Sequence, residues 1–154
     1  MRKIGTFEDN YHVYINDKKK IIITFETENH TISISNVKWF DDNSEETLNF
    51  VADLIIDDKF IGKCSNSGRG GNADYYLNDR ECYQLANKVE EEVGKYNNYC
   101  VPRVKMNFRD MLDALANFNV MFIENKVKTI KRSIELINAI QKRSDQYRKQ
   151  FENL

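Results

Sequence analysis

The segment from Ser67 to Asn72, Ser-Gly-Arg-Gly-Gly-Asn, has the residue types that most suggest binding chemistry. Three glycines within four residues permit backbone conformations that other residues rarely adopt. The N–H groups of Gly68, Gly70 and Gly71 could approach the oxygens of an anion, and the Arg69 guanidinium would supply the opposite charge. The neighbouring side chains that could hydrogen-bond or stack are those of Asn66, Asn72 and Tyr75. This interpretation predicts a nucleotide-binding or small-anion-binding site.

Two other interpretations of this glycine-rich loop stay open. Its glycine spacing matches neither the phosphate-binding P-loop, which continues with Gly-Lys-Ser or Gly-Lys-Thr, nor the Gly-x-Gly-x-x-Gly pattern of dinucleotide-binding folds. The loop could be a flexible connection between a strand and a helix, or a surface that recognises a protein partner. The candidate residues for ligand or partner binding are Asn66, Gly68, Arg69, Gly70, Gly71, Asn72 and Tyr75.

A second candidate surface is acidic. Between Asp41 and Asp58 the chain has seven carboxylates, at positions 41, 42, 45, 46, 53, 57 and 58, and no lysine or arginine. Carboxylates can take the place of phosphates opposite basic side chains, so this run could occupy a basic cleft on a partner. The alternative is an ordinary solvated face. The residues that we assign to the acidic partner surface are Asp41, Asp42, Glu45 and Glu46.

The residues that could support catalysis or metal binding form no recognisable set. The triplet Asp57-Asp58-Lys59 follows a strand with Asp53, as in part of a metal-dependent nuclease site, but it falls where a hairpin turn is expected. Cys64, Cys82 and Cys100 are each 18 residues apart, without the close pairs typical of a zinc site, which favours reduced thiols. Neither histidine has a nucleophile beside it in the sequence. We therefore predict no metal site, no cofactor and no enzyme activity.

The first half of the chain has the alternation of β-strands. Candidate strands are His12 to Ile15, Lys20 to Glu26, Thr31 to Phe40, about 48 to 56, and Phe60 to Cys64, with polar turns between them. In the third candidate the alternation shifts by one residue near Ser35-Asn36, which predicts a β-bulge. The pattern therefore predicts about five antiparallel strands.

The second half of the chain has helical spacing. Asn78 and Glu81 resemble a capping box, and the apolar stripe that follows predicts a helix over about 79–93. Asn107 and Asp110 predict the start of a second helix. Because no helix-breaking residue follows Val120, we expect one long C-terminal helix over about 120–152. Its apolar stripe, which includes Val127, Ile130, Ile134 and Ile137, could pair with a second copy or with a partner.

These elements predict an α+β fold, with an N-terminal antiparallel sheet of about five strands followed by three helices, the last of them long. The 154 residues fit a single domain over 1–154, with 1–66 mainly β, 67–77 the glycine-rich loop and 78–154 helical. The net charge of −1 indicates no polyanionic partner, and the basic C-terminal helix lacks the interleaved aromatic residues of a base-stacking surface, so we expect no direct nucleic-acid binding. No segment has the length of a membrane span or of a signal peptide, so we expect no membrane association and a cytoplasmic location.

The stretch from Ala52 to Asn72 resembles known small proteins. Its sequence, Ala-Asp-Leu-Ile-Ile-Asp-Asp-Lys-Phe-Ile-Gly-Lys-Cys-Ser-Asn-Ser-Gly-Arg-Gly-Gly-Asn, is similar to a strand, turn, strand and Asn-x-Gly-x-Gly-Gly loop found in uncharacterised proteins of bacteriophages and mobile elements. The resemblance implies a small accessory protein that binds host machinery, a class that includes inhibitors of host defence such as anti-CRISPR proteins. The richness in Lys, Asn and Ile is compatible with an AT-rich bacterial or phage genome.

We therefore predict a non-enzymatic binding protein that inhibits or modulates a host macromolecule. The partner would be a host protein or ribonucleoprotein, such as a defence nuclease. The alternative is a nucleotide-binding or small-anion-sequestering protein that uses the loop from Gly68 to Asn72. Formation of a homo-oligomer through the C-terminal helix is compatible with either function.

Overall fold

The computed structural model describes residues 1–41 and 47–152, which form an antiparallel sheet followed by three helices. The strands are β1 Arg2–Phe7, β2 Tyr11–Ile15, β3 Ile21–Glu26, β4 Thr31–Trp39, β5 Phe50–Ile56, β6 Lys59–Asn66 and β7 Asp74–Leu77. The helices are α1 Arg80–Val93, α2 Phe108–Glu124 and α3 Ile130–Glu152. Each strand pairs with its neighbours in the sequence, in the order β1 to β7. The predicted α+β class, with helices after strands and a long last helix, is confirmed.

The sheet has seven strands in the described residues, so the prediction of about five is too low. The two additional strands, β1 and β7, are its edges. An edge strand has a neighbour on one side only, so its sequence alternates weakly: β1 buries Phe7 fully and no other side chain, and β7 buries none. Because β7 covers 74–77, the glycine-rich loop predicted over 67–77 ends earlier than expected.

Two hairpin turns are formed by polar residues. Asp57 and Asp58 have φ of +52° and +64° and connect Ile56 to its partner Lys59, so this two-residue turn has the positive φ values that a type I′ turn requires. In the turn between β2 and β3, the Asn16 side chain accepts hydrogen bonds from the backbone N–H groups of Lys18 and Lys20. The turns predicted at these two positions are confirmed.

The apolar face of the sheet is covered by the helices. Alternate residues of the central strands point to this face, including Ile23, Phe25, Ile32 and Leu54, and all four are buried. In β4 the pairing with β5 shifts between Ser35 and Lys38, so the predicted bulge is confirmed. The bulge returns Val37 and Trp39 to the apolar face, where they pack against the core.

Helix α2 is held on the sheet by an aromatic cluster. The Phe118 ring packs edge-on against Phe7 and Tyr11, with centroid distances of 4.7 and 5.1 Å, and Tyr11 packs edge-on against Phe25 at 5.1 Å. Burial of one such ring stabilises the fold by about 1.5–3 kcal/mol. Asn107 caps α2 as predicted, because its side chain accepts hydrogen bonds from the N–H groups of the first turn. Helix α1 also begins where expected, but its cap is Asp79 rather than Asn78.

The predicted C-terminal helix over about 120–152 is two helices. Helix α2 ends at Glu124 in a Schellman motif, in which Val127 N–H donates to Phe122 C=O at 3.1 Å and Lys126 N–H donates to Ile123 C=O at 3.0 Å. Lys126 has φ of +51°, a conformation usually taken by glycine at this position. The break was missed because the residue that turns the chain is a lysine.

Helix α3 packs along β1 and buries only part of the predicted stripe, together with residues outside it. Its buried residues are Ser133, Ile137, Ile140 and Ser144, whereas Ile134 is 42% exposed. A Cβ on Gly5 would lie 3.2 Å from Ile137 Cδ1, so the glycine in β1 allows this close approach. Thr129 caps the helix by accepting a hydrogen bond from Arg132 N–H. Among the described residues, no helix combines the length and hydropathy that crossing a membrane requires.

A candidate ligand-binding cleft

The glycine-rich loop is organised by Asn66, the last residue of β6. The buried Asn66 side chain accepts hydrogen bonds from Gly68 N–H at 2.8 Å and Thr47 Oγ1 at 3.0 Å. It donates to Gly71 C=O at 3.2 Å and to Asp113 Oδ1 at 2.9 Å. The three loop glycines have φ between +82° and +89°, so glycine is the residue this path favours. The Asn66 side chain, which was predicted to contact a ligand, therefore stabilises the loop through hydrogen bonds within the chain.

The surroundings of this loop disfavour an anion. Asp113 of α2 places a carboxylate beside it and accepts a hydrogen bond from Ala73 N–H at 2.9 Å. Burial raises the pKa of Asp113, while the hydrogen bonds from Asn66 and Ala73 oppose that rise. Gly68 N–H already donates to Asn66, which removes one of the donors expected to bind phosphate.

The other predicted loop residues are divided between the surface and the helices. Arg69 and Asn72 are exposed. The Tyr75 hydroxyl donates to Glu90 of α1 at 3.0 Å, and the Arg109 guanidinium carbon lies 4.7 Å from the centre of the Tyr75 ring. Tyr75 is therefore engaged by α1 and α2, and Arg69 is the charged side chain that the loop leaves available.

The acidic partner surface is described only at Asp41, which is exposed. Asp42, Glu45 and Glu46 lie outside the described residues. Two other carboxylates of the acidic run have partners within the chain. Asp53 accepts from Lys63 Nζ at 2.6 Å and from Asn36 Nδ2 at 2.7 Å.

The second of these carboxylates, Asp57, contacts a histidine. Its Oδ2 lies 2.7 Å from His30 Nδ1, and its Oδ1 accepts a hydrogen bond from Thr31 N–H at 2.9 Å. His30 Nε2 lies 4.0 Å from Glu92 Oε2 at the end of α1. The histidine therefore links two hairpins to a helix, a structural role that the sequence did not indicate.

The three cysteines are free. Burial raises the pKa of the Cys64 thiol to about 12 and that of the Cys100 thiol to about 11, so both are protonated at neutral pH. In residues 1–41 and 47–152, no group of three or more His, Cys, Asp or Glu side chains is placed to hold a metal ion. The reduced state of the three thiols stays a prediction.

The described part of the chain has a cleft where β3 and β4 separate. These strands pair through three residue pairs only, Glu26 with Thr31, Phe25 with Ile32, and Thr24 with Ser33. Beyond them β3 continues along β2, and β4 continues along β5 through its bulge. The split opens a cleft of about 1010 Å³ between the two halves of the sheet and the end of α2, a volume typical of small-molecule sites.

The walls of the cleft are mainly apolar with a few polar groups. The apolar lining includes Ile21, Ile22, Ile34, Ile55, Phe122 and Ile123. The polar lining includes Tyr14, Thr24, Glu26, Ser33, Ser35 and Asn119. An apolar cavity with a small number of placed polar groups is the usual form of a ligand-binding site.

The backbone of β3 adds hydrogen-bonding groups to the cleft. Glu26 N–H donates to Asn10 C=O on the β2 side, and Thr27 N–H donates to His30 C=O on the β4 side. Because successive residues of a strand direct these groups to opposite sides, Ile23 and Ile21 direct theirs toward β4. Ile21 lines the cleft beyond the last β3–β4 pair, so its N–H and C=O groups face the split.

A hydrogen-bonded cluster surrounds the Glu26 carboxylate. Tyr14 Oη donates to Glu26 Oε2 at 2.6 Å and Thr24 Oγ1 donates to the same oxygen at 2.7 Å, while His12 Nδ1 lies 3.9 Å away. Burial raises the pKa of Glu26, but these hydrogen bonds outweigh it and the net pKa is lowered. Burial and the bond to Glu26 raise the pKa of Tyr14 to about 12. Glu26 is therefore held as a carboxylate and Tyr14 as a neutral donor.

The cleft is the feature that the sequence analysis missed. A signal was present in the parity shift at Ser35-Asn36, because a bulge bends the strand that contains it. Nothing in the sequence of β3 or β4 indicated that their pairing would stop after three pairs. Hydrophobic alternation predicts which face a residue occupies, not which neighbouring strand it pairs with.

Comparison of this chain with known protein families, with curated proteins and with solved structures finds no match. The resemblance of residues 52–72 to small bacteriophage and mobile-element proteins stays a prediction.

Proposed function

We propose that this chain is a non-enzymatic binding protein whose ligand site is the cleft between β3 and β4. The observation that supports this function is the cleft itself, which combines a volume of about 1010 Å³ with apolar walls and convergent polar groups. The backbone of Ile21 offers a further donor and acceptor. Residues 21–23 pair with β2 but form no pair on the β4 side, and this stretch is short for binding a peptide as an added strand.

The chemistry of the polar groups favours binding over acid–base catalysis. A general acid or base works best when its pKa lies near the working pH. The pKa of Glu26 is shifted below its usual value and that of Tyr14 is raised to about 12, so both are moved away from neutrality. These groups can orient a ligand by accepting and donating hydrogen bonds.

The proposal is tested with Nile red, a neutral dye whose fluorescence rises in an apolar site. We expect saturable binding by the full chain. Ser35→Trp should abolish it because a large ring would occupy the cleft that Ser35 lines. Val51→Trp is the matched control, since Val51 is 39% exposed on the same face of the sheet and does not line the cleft.

Equal dye binding by the native chain and by Ser35→Trp would contradict the proposal. Circular dichroism of both tryptophan variants shows whether the fold is retained. Mass spectrometry of small molecules that copurify with the native chain, but not with Ser35→Trp, would identify the natural ligand directly.

A second candidate function is recognition of a protein partner by the glycine-rich loop. The observation that favours it is the exposed Arg69 on a loop that Asn66 and Asp113 hold in one conformation. Arginine is enriched at the centres of protein interfaces, and a preorganised loop loses little entropy on binding. Modulation of a host macromolecule, such as a defence nuclease, would use this surface and not the cleft.

A further inference from the structure

The mouth of the cleft carries four lysines. Lys19 and Lys20 immediately precede β3, and Lys126 and Lys128 lie in the connection between α2 and α3. All four are exposed and line the cleft, and none forms an ion pair with another described residue.

The orientation of α3 shows where the second pair of lysines lies. Ile137 of α3 packs against Gly5, and Ser144 Oγ donates to Glu8 Oε2 at 2.9 Å. The seven helical residues from Ile137 to Ser144 rise about 10.5 Å. From Gly5 of β1 to Glu8, the residue that follows this strand, the extended chain rises about 10 Å. The distance between the two contacts is therefore about the same along the helix as along the strand. Because both distances increase in the same chain direction, α3 runs parallel to β1.

The same reasoning places the start of α3 beside the start of β3. Seven residues before Ile137, Ile130 lies level with Arg2, which is three residues before Gly5. Arg2 pairs with Ile15, and Ile15 pairs with Ile21. The lysines that precede Ile130 and those that precede Ile21 therefore lie at the same end of the cleft.

The opposite end of the cleft is acidic. Glu26 ends β3, and Asp57 and Asp58 form the turn that lies beside the start of β4, since Asp57 N–H donates to Thr31 C=O at 2.9 Å. Isoleucines and Phe122 line the space between the two ends. The cleft thus has a positive mouth, apolar walls and a negative far end.

From this arrangement we infer that the ligand is an amphipathic anion, a long-chain carboxylate whose apolar chain lies between the walls and whose head group meets the lysines. This inference rests on the proposed function, because it names the class of ligand for the same cleft. Burial of an apolar chain provides most of the affinity, since each square ångström removed from water contributes about 25 cal/mol. The lysines set the direction of binding, because the negative far end repels the head group.

The experiment is a fluorescence titration of the full chain with cis-parinaric acid, a fluorescent long-chain carboxylate. Lys20→Glu/Lys126→Glu should weaken binding about 5- to 30-fold, because exposed charge pairs each contribute up to about 1 kcal/mol and the new glutamates repel the head group. Lys88→Glu/Lys142→Glu is the matched control, because it makes the same change in net charge at exposed residues of α1 and α3 outside the cleft. We expect the control to bind as the native chain does.

Nile red binding tests the proposed binding function separately from the proposed class of ligand. If Nile red binds but the mouth and control variants weaken cis-parinaric acid equally, the ligand class is wrong and the binding function stands. If neither probe binds, the proposed function fails as well. Competition with dodecanoate and dodecyl phosphate tests the head group, and displacement by the phosphate alone would overturn the carboxylate assignment.

Discussion

Asn66 shows how one side chain can be predicted as important for the wrong reason. Its type and its place before the glycines suggested a ligand contact, yet its amide is buried and makes four hydrogen bonds within the protein. Arg69, three residues later, is exposed. The sequence suggested this loop as a binding site, but burial decides which of its residues can meet a partner, and Asn66 is engaged by Asp113, 47 residues further along the chain.

We expect Asn66→Ala to lower the free energy of unfolding by about 2–4 kcal/mol, because it leaves Gly68 N–H, Gly71 C=O and the Asp113 carboxylate without their buried partner. Arg69→Ala should change it by less than about 0.5 kcal/mol, as is usual for an exposed side chain. Urea unfolding measures both values. Equal stabilities of the two variants would contradict the structural role of Asn66.

The same pair of residues also tests the second candidate function. If the loop recognises a protein, Arg69→Ala should reduce capture of that partner from a cell extract without loss of stability. Unchanged capture would show that the loop is a structural connection.

At the scale of elements, sequence patterns predicted what each segment is more accurately than where it ends. The central strands and the bulge at Ser35-Asn36 were found because buried residues alternate clearly there. The edge strands β1 and β7 were missed because an edge buries fewer side chains. The division between α2 and α3 was missed because Lys126 adopts the left-handed conformation that usually marks a glycine.

This explanation predicts that Lys126→Gly stabilises the protein by about 0.5–1 kcal/mol, because glycine adopts positive φ without the strain of a side chain. Lys126→Ala is the matched control, since it removes the same charge but keeps the β-carbon, and we expect no stabilisation. Thermal unfolding of both variants measures the difference. Equal stabilisation of the alanine and glycine variants would show that the lysine charge, and not the backbone, is responsible.

At the scale of the whole molecule, the helices cover one face of the sheet and leave a cleft where its two halves separate. Composition predicted neither the covered face nor the cleft. It indicates how much apolar surface must be buried, but it does not indicate which elements bury that surface. The end of α2 lines the cleft, while α3 packs against β1. The glycine-rich loop, which seemed the most unusual segment of the sequence, connects β6 to β7 beside α2.

The packing of α3 changes the expectation of self-association through the C-terminal helix. That expectation depended on an apolar stripe that must be buried against another surface. Because α3 packs against β1, Ile137, Ile140 and Ser144 are already buried within the chain. Gln141 and Ser144 also bind the backbone and side chain of Glu8, so polar contacts hold the helix in register. Ile134, part of the predicted stripe, faces solvent.

Two isoleucines three residues apart therefore test which surface covers α3. Ile137 is 5% exposed and Ile134 is 42% exposed, although both belonged to the predicted stripe. We expect Ile137→Ala to lower the free energy of unfolding by about 2–4 kcal/mol, as for other buried isoleucines, and Ile134→Ala to change it by less than about 0.5 kcal/mol. Sedimentation of the native chain at about 100 µM should give the mass of a monomer, since packing within the chain leaves α3 no continuous apolar stripe for a second copy. A dimer that Ile134→Ala dissociates would instead show that α3 binds β1 and a second copy at the same time, with its two faces divided between them.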